Sequence, residues 1–277
     1  MTLTNRNRCF KAGITISSLA LILVIAAAVI FLSSYQEALA KSVQRPQGFF
    51  QRIISGFMAP AANAPFVSAV CAAVYSLAGI SLIYYYFEKT QSPEILFIGL
   101  FVISFAFECI RTMIPLKLLL NLPTIYLTNS YRILLFGRYF GLFSLFTVSM
   151  CTAGLNVRKQ ETIILVCATT SLIFAVGIPI DALSWDSTLV LLNDYNSTFV
   201  LIQMGIIVIT TASFLVAAYT RGSGEFIFIG MGALLTFTGR NILFSSDTWI
   251  SLVPGFLLLC LGTWFICTKY HRLYLWL

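Results

Sequence analysis

Four arginines fall inside, or at the ends of, apolar stretches: Arg111, Arg132, Arg138 and Arg240. Glu108 stands three residues before Arg111. A guanidinium cannot shed its proton to escape an apolar environment. At membrane depth an ionised group is expensive unless it is paired, hydrated or bound to a ligand. The planar fork of donors on arginine fits carboxylate and phosphate oxygens. The chemistry these residue types suit is therefore recognition of an anion.

Absences narrow the alternatives. The single histidine, His271, follows the last apolar stretch, so bis-histidine haem ligation and histidine-based metal catalysis have no residues to use. No lysine lies well inside a span, which argues against a retinal Schiff base. No P-loop, H-E-x-x-H, G-x-S-x-G or dinucleotide fingerprint occurs. Gln203, Ser104 and Thr236 are polar residues within spans, a type that more often bonds between helices than reacts. Six of the seven cysteines sit in apolar segments and none forms a CxxC pair, so they read as small hydrophobes. Cys9, beside the first span, is a weak acylation candidate. The chain is read as a non-enzyme with no cofactor and no metal. Its net charge of +7 is scattered, without basic runs interleaved with aromatics, and nucleic acid is excluded as a partner.

The elements that position the arginines are membrane helices. The 277 residues are 59% hydrophobic and only 10% charged, with mean hydropathy +0.92, against about 25% charged in a soluble domain. Apolar runs long enough to cross a bilayer recur throughout. The fold class is all-α, a polytopic membrane helix bundle forming one domain over residues 1–277. Eight spans are predicted: Ala12 to Ser34, Phe66 to Phe87, Ile95 to Pro115, Ser130 to Leu155, Thr162 to Leu183, Thr198 to Tyr219, Phe226 to Ser245 and Ser251 to Thr268.

With the N-terminus inside, nine Lys/Arg flank the spans on the inner side and four on the outer. The positive-inside bias therefore predicts cytoplasmic N- and C-termini, in an inner or plasma membrane. Ala38-Leu39-Ala40 resembles a cleavage site, but the apolar run before it exceeds the ~7–15 residues of a usual signal core. An uncleaved anchor is favoured; cleavage would leave seven spans. Residues 35–65 form the longest loop, with an amphipathic stretch from Gly48 to Met58 suited to lying on the outer leaflet or packing on the bundle. Asn196-Ser197-Thr198 is an acceptor triplet for glycosylation on the outer side.

Glu94-Ile95-Leu96-Phe97-Ile98-Gly99 opens the third span and Glu225-Phe226-Ile227-Phe228-Ile229-Gly230 the seventh. Each is followed in the same span by an arginine, Arg111 or Arg240. The preceding spans open alike, at Phe66-Val67 and Phe199-Val200. This predicts a parallel 4+4 repeat with halves 1–155 and 156–277, related by an axis along the membrane normal.

In this topology every arginine of the set lies in the outer half of the membrane. Helical rise puts Glu108 ~10 Å, Arg138 ~12 Å and Arg240 ~8 Å inside the outer boundary, with Arg111 and Arg132 nearer the mouth. Asp181, at the outer end of span five, is the second carboxylate. Four arginines against two carboxylates leave a formal excess of +2. The expected site is an outward-facing pocket of Arg111, Arg132, Arg138, Arg240 and Glu108 that takes a small anion or a lipid headgroup. The competing reading is structural: Arg111, Arg132 and Arg240 snorkel to the interface, while Arg138 and Glu108 lock two helices together. Gly137 and Gly239, each directly before an arginine, would permit close helix approach.

Two functions follow, ahead of an enzyme acting on lipid, for which the sequence offers no nucleophile and base. One is a receptor, sensor or assembly module, signalling through a membrane or cytoplasmic protein partner at the inner loops or the tail from Lys269 to Arg272. The other is a secondary transporter of a small anion, against which stands the scarcity of polar groups at the midplane. Membrane lipids are partners in either case.

Overall fold

The computed structural model describes residues 3–39, 63–88, 92–114, 116, 122–154, 160–178, 188–191 and 196–275. The elements are helices: α1 (Leu3–Leu39), α2 (Ala64–Phe87), α3 (Pro93–Ser104), α4 (Thr124–Thr152), α5 (Gln160–Gly177), α6 (Asn196–Arg221), α7 (Glu225–Phe244) and α8 (Trp249–Leu275). The third span does not stay α-helical. From Phe105 to Met113 it continues α3 as a 3-10 helix. Counting that extension with α3, eight helices among the described residues are long and apolar enough to cross a bilayer. Leu19, Ile173 and Leu201 expose 66, 70 and 73% of their surface, the pattern of helices whose outer faces meet lipid rather than water. The protein is a multi-pass membrane helix bundle. Gly48 to Met58, Ala40, Lys117, Asp181 and the acidic loop around Trp185 lie outside the described residues.

Local signals set the ends. Ser92 caps α3: its hydroxyl accepts from Ile95 N at 3.4 Å and donates to Glu94 at 2.8 Å, with Pro93 at the first helical position. The reversal between α6 and α7 passes through Gly222 at φ +62°, a conformation that costs glycine little.

α3 with its extension is the most enclosed span, and α1, α2 and α4 pack around it. Phe97, Phe101 and Phe105 are fully buried there. α1 belongs to this core through Phe10 and Val24. It runs as one helix well past both bounds predicted for the first span. α7 and α8 form the tightest pair, backbone against backbone at Gly232 and Gly239 of α7 and Gly255 and Gly262 of α8. α6 packs on α4 and α7, and α5 on α4. α2 joins the two groups through α8 and α7.

Arg6 shows how a cation is used at the end of the bundle that carries the termini. It is 4% exposed and donates to Phe87 O at 2.7 Å and Glu88 O at 2.8 Å. These are carbonyls at the C-terminal end of α2, which have no partner within their own helix and carry partial negative charge. We expect Arg6→Met to fray the last turn of α2, with about 1–2 kcal/mol of local protection lost. Hydrogen exchange of the amides at 84–88 reads this directly, and unchanged exchange would remove the capping role.

Candidate functional site

The site is built at the end of the bundle away from the termini. There the 3-10 extension and α7 end, and α2 and α4 begin. A 3-10 helix has three residues per turn, so residues three apart form a straight row. Phe105, Glu108, Arg111 and Ile114 make that row, and each is 2% exposed or less. In an α-helix the same four positions would fan out over about 180°. The three-residue spacing of Glu108 and Arg111 puts them on one face of either helix type, but the uninterrupted α-helix that the apolar run predicts is not what forms. Nine residues of 3-10 geometry is a long run. Two glycines of α4 make room for it: Ser104 is set against Gly141, and Phe107 against Gly137.

Glu108 is the centre. Arg138 of α4 donates to it twice, from Nε at 2.7 Å and Nη2 at 3.0 Å. Arg111 lies 3.6 Å from the same carboxylate. A two-point guanidinium–carboxylate pair is the strongest common form of this contact. Its low-dielectric surroundings strengthen it further.

Arg111 is fully buried and ties three elements together. Nη1 donates to Phe244 O at 2.9 Å, at the last residue of α7. Nη2 donates to Pro65 O and to Ser68 Oγ, both at 2.7 Å, in the first turns of α2. Ser68 passes its own hydrogen to Leu243 O at 2.6 Å. Arg111 therefore caps the C-terminal end of α7 much as Arg6 caps α2.

Arg240 is 1% exposed. Nη2 donates to Arg138 O at 2.8 Å, and Nη1 reaches Asn241 Oδ1 at 3.4 Å. No carboxylate lies within ion-pair distance of it among the described residues. Its guanidinium carbon sits 4.7 Å from the centre of the Phe244 ring, and that of Arg138 sits 4.8 Å from the same ring. Phe244 thus offers its ring to two cations and its carbonyl to a third.

Arg138 keeps 13% of its side chain exposed, the most open point of the buried set. Arg132 is half-buried, nearly two turns nearer the start of α4, with its Nε buried and unpaired. It does not join the network. Snorkelling is thus corrected for two of its three expected cases. Arg111 and Arg240 point inward, because carbonyls at Phe244, Pro65 and Arg138 and the ring of Phe244 lie closer than water.

Matched against known protein families, characterised proteins and solved structures, the chain resembles none of them. Three guanidinium groups and one carboxylate leave a formal +2 in the enclosed network. Ser104 and Thr236 donate their hydroxyl hydrogens to carbonyls of their own helices, Phe101 O at 2.6 Å and Gly232 O at 2.8 Å.

Phe244, Ser68 and Asn241 were not singled out from sequence. Phe244 looks like any apolar span residue. Asn241 had a signal, since an amide next to a buried arginine is a ready acceptor.

Proposed function

We propose that the arginine network receives an anionic group, a lipid headgroup or a small free anion, on the outer side of the membrane. On this reading the protein is a non-enzymatic receptor, sensor or assembly module with both termini cytoplasmic. The observation that carries it is Arg240. Its charge is buried beside Arg138 while Glu108 is already engaged by Arg138 and Arg111. An anion entering beside the exposed part of Arg138 would balance the excess, and the guanidinium forks suit its oxygens. Arg132 stands at the approach as a steering charge.

The test is thermal unfolding of the purified full chain in neutral detergent. It is run with inorganic phosphate, with succinate and with phosphatidylglycerol as separate additions. A ligand at 100-fold its Kd stabilises by about 2.7 kcal/mol, equivalent to several degrees. We expect at least one addition to raise the midpoint of the native chain and to leave Arg240→Met unmoved. Free phosphate or succinate acting alone identifies a soluble anion; phosphatidylglycerol acting alone identifies a headgroup. No shift with any of the three rejects the reading.

Transport of a small anion is the second reading, favoured by two features. The third span changes helical type midway, and broken spans are common at transport sites. The helix pairs also match between halves: α2–α3 with α6–α7, α3–α4 with α7–α8, and α8–α2 with α4–α6. This supports a repeat of α2–α4 and α6–α8, with α1 and α5 packed differently. Uptake of radiolabelled phosphate into proteoliposomes, abolished by Arg138→Ala, distinguishes transport from binding alone.

A further inference from the structure

A long groove runs between α2 and α8, at the opposite end of the bundle from the arginine network, and encloses about 510 Å³. Small side chains line it on both helices, among them Ala78 of α2 and Cys260, Thr263 and Cys267 of α8. Small residues facing each other in a membrane normally let two helices close. Here they do not, because each helix is committed elsewhere. α8 is locked onto α7 at Gly255 and Gly262, and α2 packs on α1 and α3.

The groove extends along α2 from Val74 to Phe87 and along α8 from Phe256 to His271. At helical rise that is about 20 Å, well over half the thickness of a hydrocarbon core. It opens sideways to lipid, past Leu82 and Trp264, which are 56 and 65% exposed. Within a bilayer the medium beside such a groove is hydrocarbon, and its length suits one acyl tail.

The end of the groove says which kind of lipid. It finishes at Phe87 and His271, whose rings meet edge to face at 5.6 Å. Arg6 is fixed on the carbonyls of Phe87 and Glu88, and Arg272 follows His271 on an exposed turn. Two guanidinium groups against Glu88 make this rim cationic, at the level where a headgroup lies. We propose that the α2–α8 groove binds one tail of an anionic phospholipid from the leaflet on the termini side, with its phosphate held at the rim by His271 and Arg272. The site is independent of the arginine network.

The experiment uses the full chain with Trp185, Trp249 and Trp276 changed to Phe, so that Trp264 at the groove edge is the only indole. The protein is reconstituted in phosphatidylcholine vesicles. A minor fraction of lipid is replaced by phosphatidylglycerol or phosphatidylcholine carrying brominated tails, which quench a neighbouring indole. At equal mole fraction we expect brominated phosphatidylglycerol to quench Trp264 at least twofold more strongly. Filling the groove with Ala78→Phe, or separately Thr263→Phe, removes that preference, as does Arg272→Gln combined with His271→Gln. Arg240→Met leaves it unchanged, so this result stands or falls apart from the outer-side reading. Equal quenching by the two lipids overturns the proposal, and so does a preference that survives both groove-filling variants. Weak quenching by both, with dimers cross-linked through Cys260, overturns it in favour of a second copy of the chain.

Discussion

Glu108→Gln lowers the unfolding temperature of the bundle more than any other single change in the arginine network. The native carboxylate is 2% exposed, is gripped twice by Arg138 and faces Arg111 at 3.6 Å. The amide keeps the shape and loses the charge. Three guanidinium groups then remain in the enclosed network with no anion among them. Removing one partner of a buried ion pair costs about 3–5 kcal/mol, because the survivor is left uncompensated. In a chain of this size that corresponds to a drop on the order of 10 °C. The measurement is unfolding in dodecyl maltoside followed by circular dichroism. Glu108→Met combined with Arg138→Met is the decisive comparison. It removes one charge of each sign and leaves Arg111 on its carbonyl and hydroxyl acceptors. Replacing a buried pair with apolar groups of similar volume is often neutral, so the double variant recovers most of the loss. A single variant within two degrees of the native chain, by about the precision such shifts allow, would mean that water or another group compensates the cations.

Gly239→Ala is the second large effect, and its cause is steric. A Cβ on Gly239 would run into Leu259 N of α8 and lie 2.8 Å from Gly255 O and 2.9 Å from Leu258 C. All three obstacles are backbone, so no side chain can swing aside. The two helices must part, which costs about 1–3 kcal/mol for one added carbon. Gly239 directly precedes Arg240, so the same displacement pulls on the bond from Arg240 to Arg138 O. Gly205→Ala is the matched control, because nothing lies within 4 Å of its added carbon. It should be neutral or slightly stabilising through helix propensity alone. The two variants are compared in the same unfolding assay, with cross-linking between α7 and α8 as the structural readout. Equal midpoints would show that the glycine contact carries no weight.

Hydropathy is enough to locate the eight spans, because insertion into lipid depends on composition along a stretch of chain. Depth is legible too. Helical rise placed Glu108 and Arg138 at similar levels, and they are bonded. What a linear reading misses is direction around the helix axis. Arg111 and Arg240 sit close enough to an interface to reach water, yet both turn inward. That choice depends on where neighbouring carbonyls and the Phe244 ring happen to lie, which packing decides. The change of helical type at Phe105 has no proline or glycine to announce it. It follows from the glycines of α4 and from bonds that Glu108 and Arg111 make to other spans. In the sequence Arg6 is one of the nine basic residues flanking the inner side, and nothing in its neighbourhood names Phe87, 81 positions away, as its acceptor.

The drawn-out half of the third span acts as a length gauge. At about 2.0 Å per residue in the 3-10 part and 1.5 Å in the rest, its 21 residues reach as far as the 24 of α2, roughly 36 Å. Reverting to ordinary pitch would retract Arg111 by about 3 Å and swivel it by about 120°. That is enough to unhook it from Pro65, Ser68 and Phe244 in one motion. The guanidinium is thus a latch that registers the pitch of its own span.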